Sequence, residues 1–198
     1  IINNIKIFCS FWLLLFFYFI IPIFINSIPV PTWAYYLDSK IPFISFMVVP
    51  YFFYYIIIIV PPFIWKDQWS LRNITSVLNA ITLTCYLLFI LWPIDATHIL
   101  DQVELSNYGI IDFLHNCITY DYLCQNAFPS MHVSVTTFIC FAYYYDFKDY
   151  RFIALLVAFL IFLATFLIKQ HYFIDSIAGF LIGLFGCYYY YMKNKPCK

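Results

Sequence analysis

Charged side chains are scarce in this chain. Its 198 residues include 10 Lys and Arg and 10 Asp and Glu, while 65% of the residues are hydrophobic. A soluble domain is only about half apolar, so this composition excludes a soluble fold and indicates an integral membrane protein. The net charge of zero argues against a nucleic-acid partner, because such a partner requires a basic surface.

Metal-binding patterns are also missing. The cysteines are spread along the chain without a Cys-x-x-Cys pair or a Cys/His spacing typical of zinc. We therefore expect no metal site and no other cofactor. Cys117 and Cys124 share one polar loop and could form a disulfide if that loop faces an oxidising compartment.

Long apolar segments dominate what remains. A helix needs about 20 mainly apolar residues to cross a bilayer, and six segments qualify, at roughly 6–27, 43–65, 74–93, 129–146, 151–168 and 173–192. Pro50, Pro61 and Pro62 lie in the second segment and are expected to kink it. The sequence therefore predicts an all-α fold, an integral membrane six-helix bundle, with residues 1–198 forming a single transmembrane domain.

The distribution of positive charge predicts the orientation of these spans. All of the Lys and Arg residues except Lys40 and Lys169 fall on one side of a six-span topology. Cytoplasmic loops carry the excess of Lys and Arg, so both termini are expected in the cytoplasm and the long loop 94–128 outside it. The exoplasmic side then also holds all the histidines, which are His98, His115, His132 and His171.

Two polar motifs lie at helix ends on that side. They read Asn126-Ala-Phe-Pro-Ser-Met-His132 and Lys169-Gln-His-Tyr-Phe-Ile-Asp175. Between His132 and His171 one helix crosses the membrane and a second helix returns. Both imidazoles should therefore lie at the same membrane face. His171 and Asp175 are spaced i, i+4, so on a helix the carboxylate could accept a hydrogen bond from one ring nitrogen and make the other more basic. A single histidine at an interface is more often a wetted boundary residue, and it is the combination that is specific.

The residue types in these motifs suit phosphate chemistry. Ser130 and the backbone N–H groups at the start of the fourth span would bind an anion. A phosphate held there could be attacked by His171 while His132 protonates the leaving oxygen. Lys169 could neutralise phosphate charge.

The other two histidines have no comparable context. His98 and His115 lie in the loop 94–128 without a neighbouring motif. We interpret both as ordinary loop residues, with His98 as a weaker candidate for a phosphate contact.

These two motifs resemble the second and third signature motifs of the type 2 phosphatidic acid phosphatase superfamily, and the similarity extends over roughly residues 35–192. The segment Asp38-Ser-Lys-Ile-Pro-Phe43 and the surroundings of both motifs resemble the branch that includes inositol phosphorylceramide synthases. The resemblance implies a six-helix fold of the lipid phosphatase/haloperoxidase type and a metal-independent phosphohistidine mechanism. It implies His171 as the nucleophile, Asp175 as its orienting acid and His132 as the general acid.

The chain departs from the family pattern in its cationic positions. Met131 stands where the second motif commonly has Gly, and Ala164 and Thr165 stand where the third commonly has Ser-Arg. The first motif, Lys-x6-Arg-Pro, is missing. Phosphate binding is therefore expected to be less cationic than in the full pattern.

Several functions fit these observations. We expect a membrane lipid phosphatase with a lipid phosphate or phospholipid as its substrate. A lipid head-group phosphotransferase would use the same phosphoenzyme and differ only in the acceptor, and the sequence does not separate the two. A catalytically degenerate protein that binds lipid phosphate is the main alternative. A transporter fits less well, because transporters often break their helices at mid-membrane, whereas these motifs lie at helix ends.

Overall fold

Helices form almost the whole backbone. The computed structural model describes residues 1–103, 105, 109–118 and 126–194. Its α-helices are α1 (Ile2–Phe16), α2 (Ile21–Phe24), α3 (Thr32–Asp38), α4 (Val48–Ile59), α5 (Pro61–Ile64), α6 (Gln68–Leu91), α7 (Thr97–Leu100), α8 (Ile110–Ile118), α9 (Met131–Asp146), α10 (Arg151–Leu167) and α11 (Phe173–Asn194). No β-strand occurs in these described ranges, where only an isolated bridge joins Ile28 to Ile94. The all-α prediction is confirmed.

In the part of the chain that the structure describes, four helical segments are long and apolar enough to cross a membrane. They are Ile2–Phe24, Gln68–Leu91, Lys148–Leu167 and Phe173–Asn194, and each overlaps a predicted span. The other two predicted spans correspond to shorter helices, α4 with 12 residues and α9 with 16. At about 1.5 Å per residue these helices are shorter than the hydrocarbon core of roughly 30 Å. Within the described chain the count of six spans therefore remains a prediction.

Proline ends α4 early. The helix stops at Ile59, and Pro61 and Pro62 begin the short helix α5. A proline inside a helix removes a hydrogen bond and clashes with the preceding turn, whereas the first turn of a new helix needs no donor there. Asp67 then starts α6 by accepting hydrogen bonds from the backbone N–H groups of its first turn. The expected kink is therefore a break between two helices.

Helix α9 lies at the centre of the bundle. It packs against α4, α6, α10 and α11, and Val135, Phe138 and Ile139 are fully buried. A helix that is covered on all sides needs no polar face. Its buried hydroxyl at Ser134 is satisfied within the helix, because it donates to the Ser130 carbonyl at 2.8 Å.

Glycines bring α11 unusually close to α9. A Cβ at Gly179 would collide with the Ser130 carbonyl oxygen, and a Cβ at Gly183 would lie 2.7 Å from the Ser134 carbonyl oxygen. Small residues four positions apart let two helix backbones approach in this way. The approach sets the first turn of α9 against the second turn of α11, and this contact adjoins the two histidine motifs.

The segments before α3, after α6 and before α9 lie together at one end of the bundle. The Ile28 N–H donates to the Pro93 carbonyl at 2.8 Å, and the Ala127 N–H donates to the Ile94 carbonyl at 3.2 Å. A small second core there contains Val30, Ala34, Ile94, Ala96, Ile99, Ala127 and Tyr172. This is the end that the charge distribution predicts to be exoplasmic. The possible disulfide between Cys117 and Cys124 lies outside the described residues, since Cys124 is not among them.

Candidate active site

The two motif histidines meet at this end of the bundle. His132 is the second residue of α9, and His171 lies in the turn between α10 and α11. The His132 Nδ1 and His171 Nε2 atoms are 3.3 Å apart. Both side chains are buried, with 9% and 3% of their surface exposed. The structure thus brings together two imidazoles that are 39 positions apart in the chain.

Neighbouring groups define which ring nitrogen carries a proton. His171 Nδ1 lies 2.9 Å from the Ala127 carbonyl oxygen, and a carbonyl can only accept, so Nδ1 is the protonated nitrogen. The Nε2 lone pair of His171 then faces His132 and accepts from its Nδ1–H. With both rings neutral, His132 Nε2 accepts from the Tyr51 hydroxyl at 2.9 Å. The nucleophile proposed from sequence is therefore held with its lone pair on Nε2.

The hydrogen bond that the i, i+4 spacing predicted between His171 and Asp175 is not formed. Asp175 Oδ2 lies 3.8 Å from His171 Nδ1, beyond hydrogen-bond length, and accepts instead from the Tyr172 N–H at 2.8 Å. The physical reason is that α11 begins only at Phe173. His171 therefore precedes the helix and does not share a helical face with Asp175. At this distance the carboxylate acts on the ring through charge.

Asp175 also ties the two motifs together through its backbone. Its carbonyl oxygen accepts from the Ser130 N–H at 2.9 Å. Ser130 is fully buried and caps α9, with its hydroxyl oxygen accepting from the Val133 N–H at 3.4 Å. Asp175 Oδ1 is buried and has no hydrogen-bond partner among the described residues. This unpaired oxygen lies in the carboxylate nearest to the two rings.

Lys169 does not extend toward the two rings as an anion-binding side chain would. Its Nζ donates to the backbone carbonyls of Asp38 at 2.9 Å and Ile41 at 2.6 Å. The residue is fully buried and has a positive φ of 60°, so the turn aims the side chain at the segment after α3. Burial lowers the pKa of Lys169, and the nearby Asp38 carboxylate opposes that shift. The ammonium group thus holds the loop in place.

Asp38 is a site-positioning residue that the sequence did not assign. Its carboxylate accepts from the Phe173 N–H at 3.0 and 3.2 Å and so caps the start of α11 from a distant segment. Burial raises the pKa of Asp38 to about 6, while the Phe173 N–H and Lys169 oppose the shift. The only sequence signal was its place in the segment Asp38–Phe43.

The remaining histidines lie outside this cluster. His98 is exposed in the short helix α7. His115 is buried in α8 and its Nε2 donates to the Ser45 carbonyl at 2.8 Å, which is a structural contact. Neither residue lines the cavity beside the two motif histidines.

A cavity of about 340 Å³ ends at the paired imidazoles. Apolar and aromatic residues of α1, of the 3₁₀ turn that follows it and of α4 line much of the cavity. Its polar lining residues include Asn126, His132, Gln170 and His171. The side-chain nitrogen of Gln170 is buried there without a hydrogen-bond partner among the described residues. A buried donor facing a cavity is suited to an anionic oxygen. The position of Gln170 directly before His171 indicates from sequence that it belongs to the site. Nothing in the sequence around Tyr51 indicates the same for Tyr51.

The described residues contain no group of three or more His, Cys, Asp or Glu side chains that could hold a metal ion.

The family model of the PAP2 superfamily matches residues 27–189 of the chain. The match includes both histidine motifs and begins after α1. No curated protein and no solved structure matches the chain.

Proposed function

Because the chain belongs to the PAP2 superfamily, whose members are in general phosphoesterases, we propose that it is a membrane lipid phosphatase acting through a phosphohistidine. One observation carries the proposal. The Nε2 lone pair of His171 faces a second imidazole at 3.3 Å, at the inner end of an apolar cavity. That pairs a nucleophile with a proton donor where a lipid phosphate would enter.

In the first step, the His171 Nε2 lone pair forms a bond to phosphorus and the bond from phosphorus to the lipid oxygen breaks. His132 begins this step protonated on both nitrogens, with Tyr51 accepting from Nε2–H, and gives its Nδ1 proton to the leaving oxygen. The negative phosphate favours that imidazolium. The phosphoryl group takes the position of the hydrogen bond between the rings, so the rings move apart as it enters.

In the second step, water attacks phosphorus and His132 Nδ1 takes a proton from it. The bond between phosphorus and nitrogen breaks, its electron pair returns to His171, and inorganic phosphate leaves. A lipid hydroxyl in place of water would give head-group transfer by the same steps. Asp175, 3.8 Å from His171, stabilises the positive ring of the intermediate.

The phosphate contacts follow from the groups around the rings. We assign them to the Gln170 side-chain amide and to the first-turn N–H groups of α9. Ser130 is fully buried and does not line the cavity, so it supports the phosphate site by capping α9. Lys169 contributes indirectly, by holding the segment after α3 through the Asp38 and Ile41 carbonyls. His98, exposed in α7, would contact phosphate only if the head group extended out of the cavity.

The topology belongs to the same proposal. Six spans, with both termini in the cytoplasm, would put the two rings at the exoplasmic face. In a background in which the seven native cysteines are replaced by serine, membrane-impermeant maleimide added to intact cells should label Gln102→Cys, at the histidine end. It should leave Lys66→Cys, near the start of α6, unlabelled. The reverse pattern would overturn the orientation without affecting the chemistry.

The test of the reaction is phosphate release, or head-group transfer, from a panel of phospholipids in nanodiscs. Vanadate should inhibit because it mimics the phosphoryl transition state, and EDTA should leave the rate unchanged. His171→Ala should abolish the phosphoenzyme. His132→Ala should slow the reaction least with good leaving groups, which need little protonation. Lys148→Ala is the control and should behave like the wild type, because Lys148 is exposed between α9 and α10, at the opposite end of the bundle.

A second candidate, a binding protein without turnover, is favoured by one observation. Lys169 donates to backbone carbonyls, so this cation does not neutralise a phosphate directly. That candidate predicts vanadate binding that depends on His171 but no release or transfer of phosphate. A phosphoenzyme that forms in the wild type and is lost in His171→Ala would reject it.

A further inference from the structure

Helix α1 precedes the region that matches the superfamily profile, residues 27–189, yet it builds one wall of the cavity. Trp12, Leu15, Phe16 and Phe19 all line it. Their spacing of i, i+3, i+4 and i+7 places them on one face of a helix. The wall is therefore one stripe that runs along α1 and continues into the 3₁₀ turn Phe17–Phe19.

The opposite wall is a matching stripe of α4. Tyr51, Tyr54, Tyr55 and Ile58 line the cavity with the same spacing. The Tyr51 hydroxyl contacts His132 at 2.9 Å, and the centres of the Tyr54 and His132 rings are 4.4 Å apart. This end of the stripe is therefore at the proposed reaction centre.

Trp12 and Ile58 bound the end of the cavity away from the histidines. Trp12 Nε1 donates to the Ile58 carbonyl at 2.8 Å and joins the two stripes there. Ile58 is seven positions after Tyr51, which corresponds to about 10 Å along α4. The cavity is thus a slot that begins at His132 and ends at the contact between Trp12 and Ile58.

The slot opens sideways through α1. Phe16 is 64% exposed and Phe19 is 46% exposed, although both line the slot. In a chain that spans a membrane, exposed aromatic residues of this kind face lipid hydrocarbon. An apolar chain can therefore enter the slot from the bilayer.

We propose that this slot binds a hydrocarbon chain of the phosphate-ester substrate, and that α1 sets the length of chain accepted. The proposal rests on the proposed function for the identity of the head group. A chain that starts at the phosphate beside His132 is the occupant whose polar end and apolar body both match the slot. Each methylene that is transferred into such a site raises affinity roughly fourfold, until Trp12 stops the chain.

The experiment measures binding of straight-chain alkylphosphonates to the full chain in nanodiscs. Their bond from phosphorus to carbon is not hydrolysed, so binding is read independently of turnover. Apparent affinity should rise with chain length and then level off. Leu15→Trp narrows the slot and should move the plateau to shorter chains, while Trp12→Ala removes the residue that stops the chain and should move the plateau to longer chains. Leu13→Trp is the matched control, because Leu13 is 64% exposed and does not line the slot.

The outcomes separate the two proposals. A plateau that is the same in Leu15→Trp, Trp12→Ala and Leu13→Trp would overturn the slot, even if phosphate release that depends on His171 is present. A plateau that shifts in Leu15→Trp and Trp12→Ala but not in Leu13→Trp would support the slot, even if no phosphate is released from any substrate, in which case only the proposed function fails.

Discussion

Replacement of Gly179 by alanine should damage both stability and activity. A Cβ at this position would collide with the Ser130 carbonyl oxygen, which belongs to the backbone and cannot rotate away. Relief therefore requires α11 and the first turn of α9 to move apart. That movement stretches the 2.9 Å hydrogen bond from the Ser130 N–H to the Asp175 carbonyl and shifts His132 relative to His171.

The magnitude follows from two opposing effects. Overpacking in a close-packed region costs about 1–3 kcal/mol, and replacing glycine by alanine inside a helix returns about 0.5–1 kcal/mol. The net loss of about 1–2 kcal/mol corresponds to a fall in Tm of roughly 2–8 °C for a chain of this size. A displacement on the order of 1 Å at the reacting groups should lower kcat by about 100-fold.

Two other glycines of the same helix serve as matched controls. At Gly186 the nearest atom to a new Cβ is Ile81 Cδ1 at 2.7 Å, the end of a flexible side chain, so Gly186→Ala should leave Tm and activity near those of the wild type. Gly183→Ala meets the Ser134 carbonyl and Thr137 Cβ, each at 2.7 Å, and should fall between. Thermal unfolding in detergent and phosphate release measure the series. Equal Tm and activity in Gly179→Ala and Gly186→Ala would refute the close approach.

Three further predictions concern the groups around the rings. Lys169→Met leaves the Asp38 and Ile41 carbonyls without their donor and should lower the free energy of unfolding by about 1–3 kcal/mol, while KM of the folded protein is unchanged. The control is Lys193→Met, because Lys193 is exposed. A raised KM in Lys169→Met would indicate that Lys169 contacts the phosphate directly. The pKa of Asp38 is raised from 3.8 to about 6 in the folded protein, so folding favours its protonated form and the stability it contributes is lost as pH rises between these values. In Asp38→Asn the decrease in Tm over that pH range should be smaller, and an identical profile would contradict the assignment. Tyr51→Phe removes the hydroxyl that contacts His132 Nε2 and should lower kcat about 2- to 10-fold with little change in KM. Tyr55→Phe is the control and should leave kcat unchanged.

The amino-acid sequence by itself determined the class of the protein and the places of its motifs. Apolar segments of sufficient length indicated a helical membrane protein, because no other structure satisfies backbone hydrogen bonds in lipid so simply. The helical hairpin between His132 and His171 put both rings at one end of the bundle, since two helices of similar length return the chain to its starting level. These are consequences of composition and spacing along the chain.

Tertiary structure alone decided which groups hydrogen-bond to the site residues. The partners of His171, His132 and Lys169 are Ala127, Tyr51 and the segment after α3, which lie 44, 81 and 128–131 positions away in the chain. Asp175 Oδ2 lies 3.8 Å from His171 Nδ1 and not at hydrogen-bond length, because α11 starts two residues after His171. Which distant backbone carbonyl or hydroxyl reaches a ring nitrogen depends on how closely the helices pack, and that closeness is set by glycine contacts such as Gly179 against Ser130. Such contacts join segments far apart in the chain, and local periodicity contains no information about them.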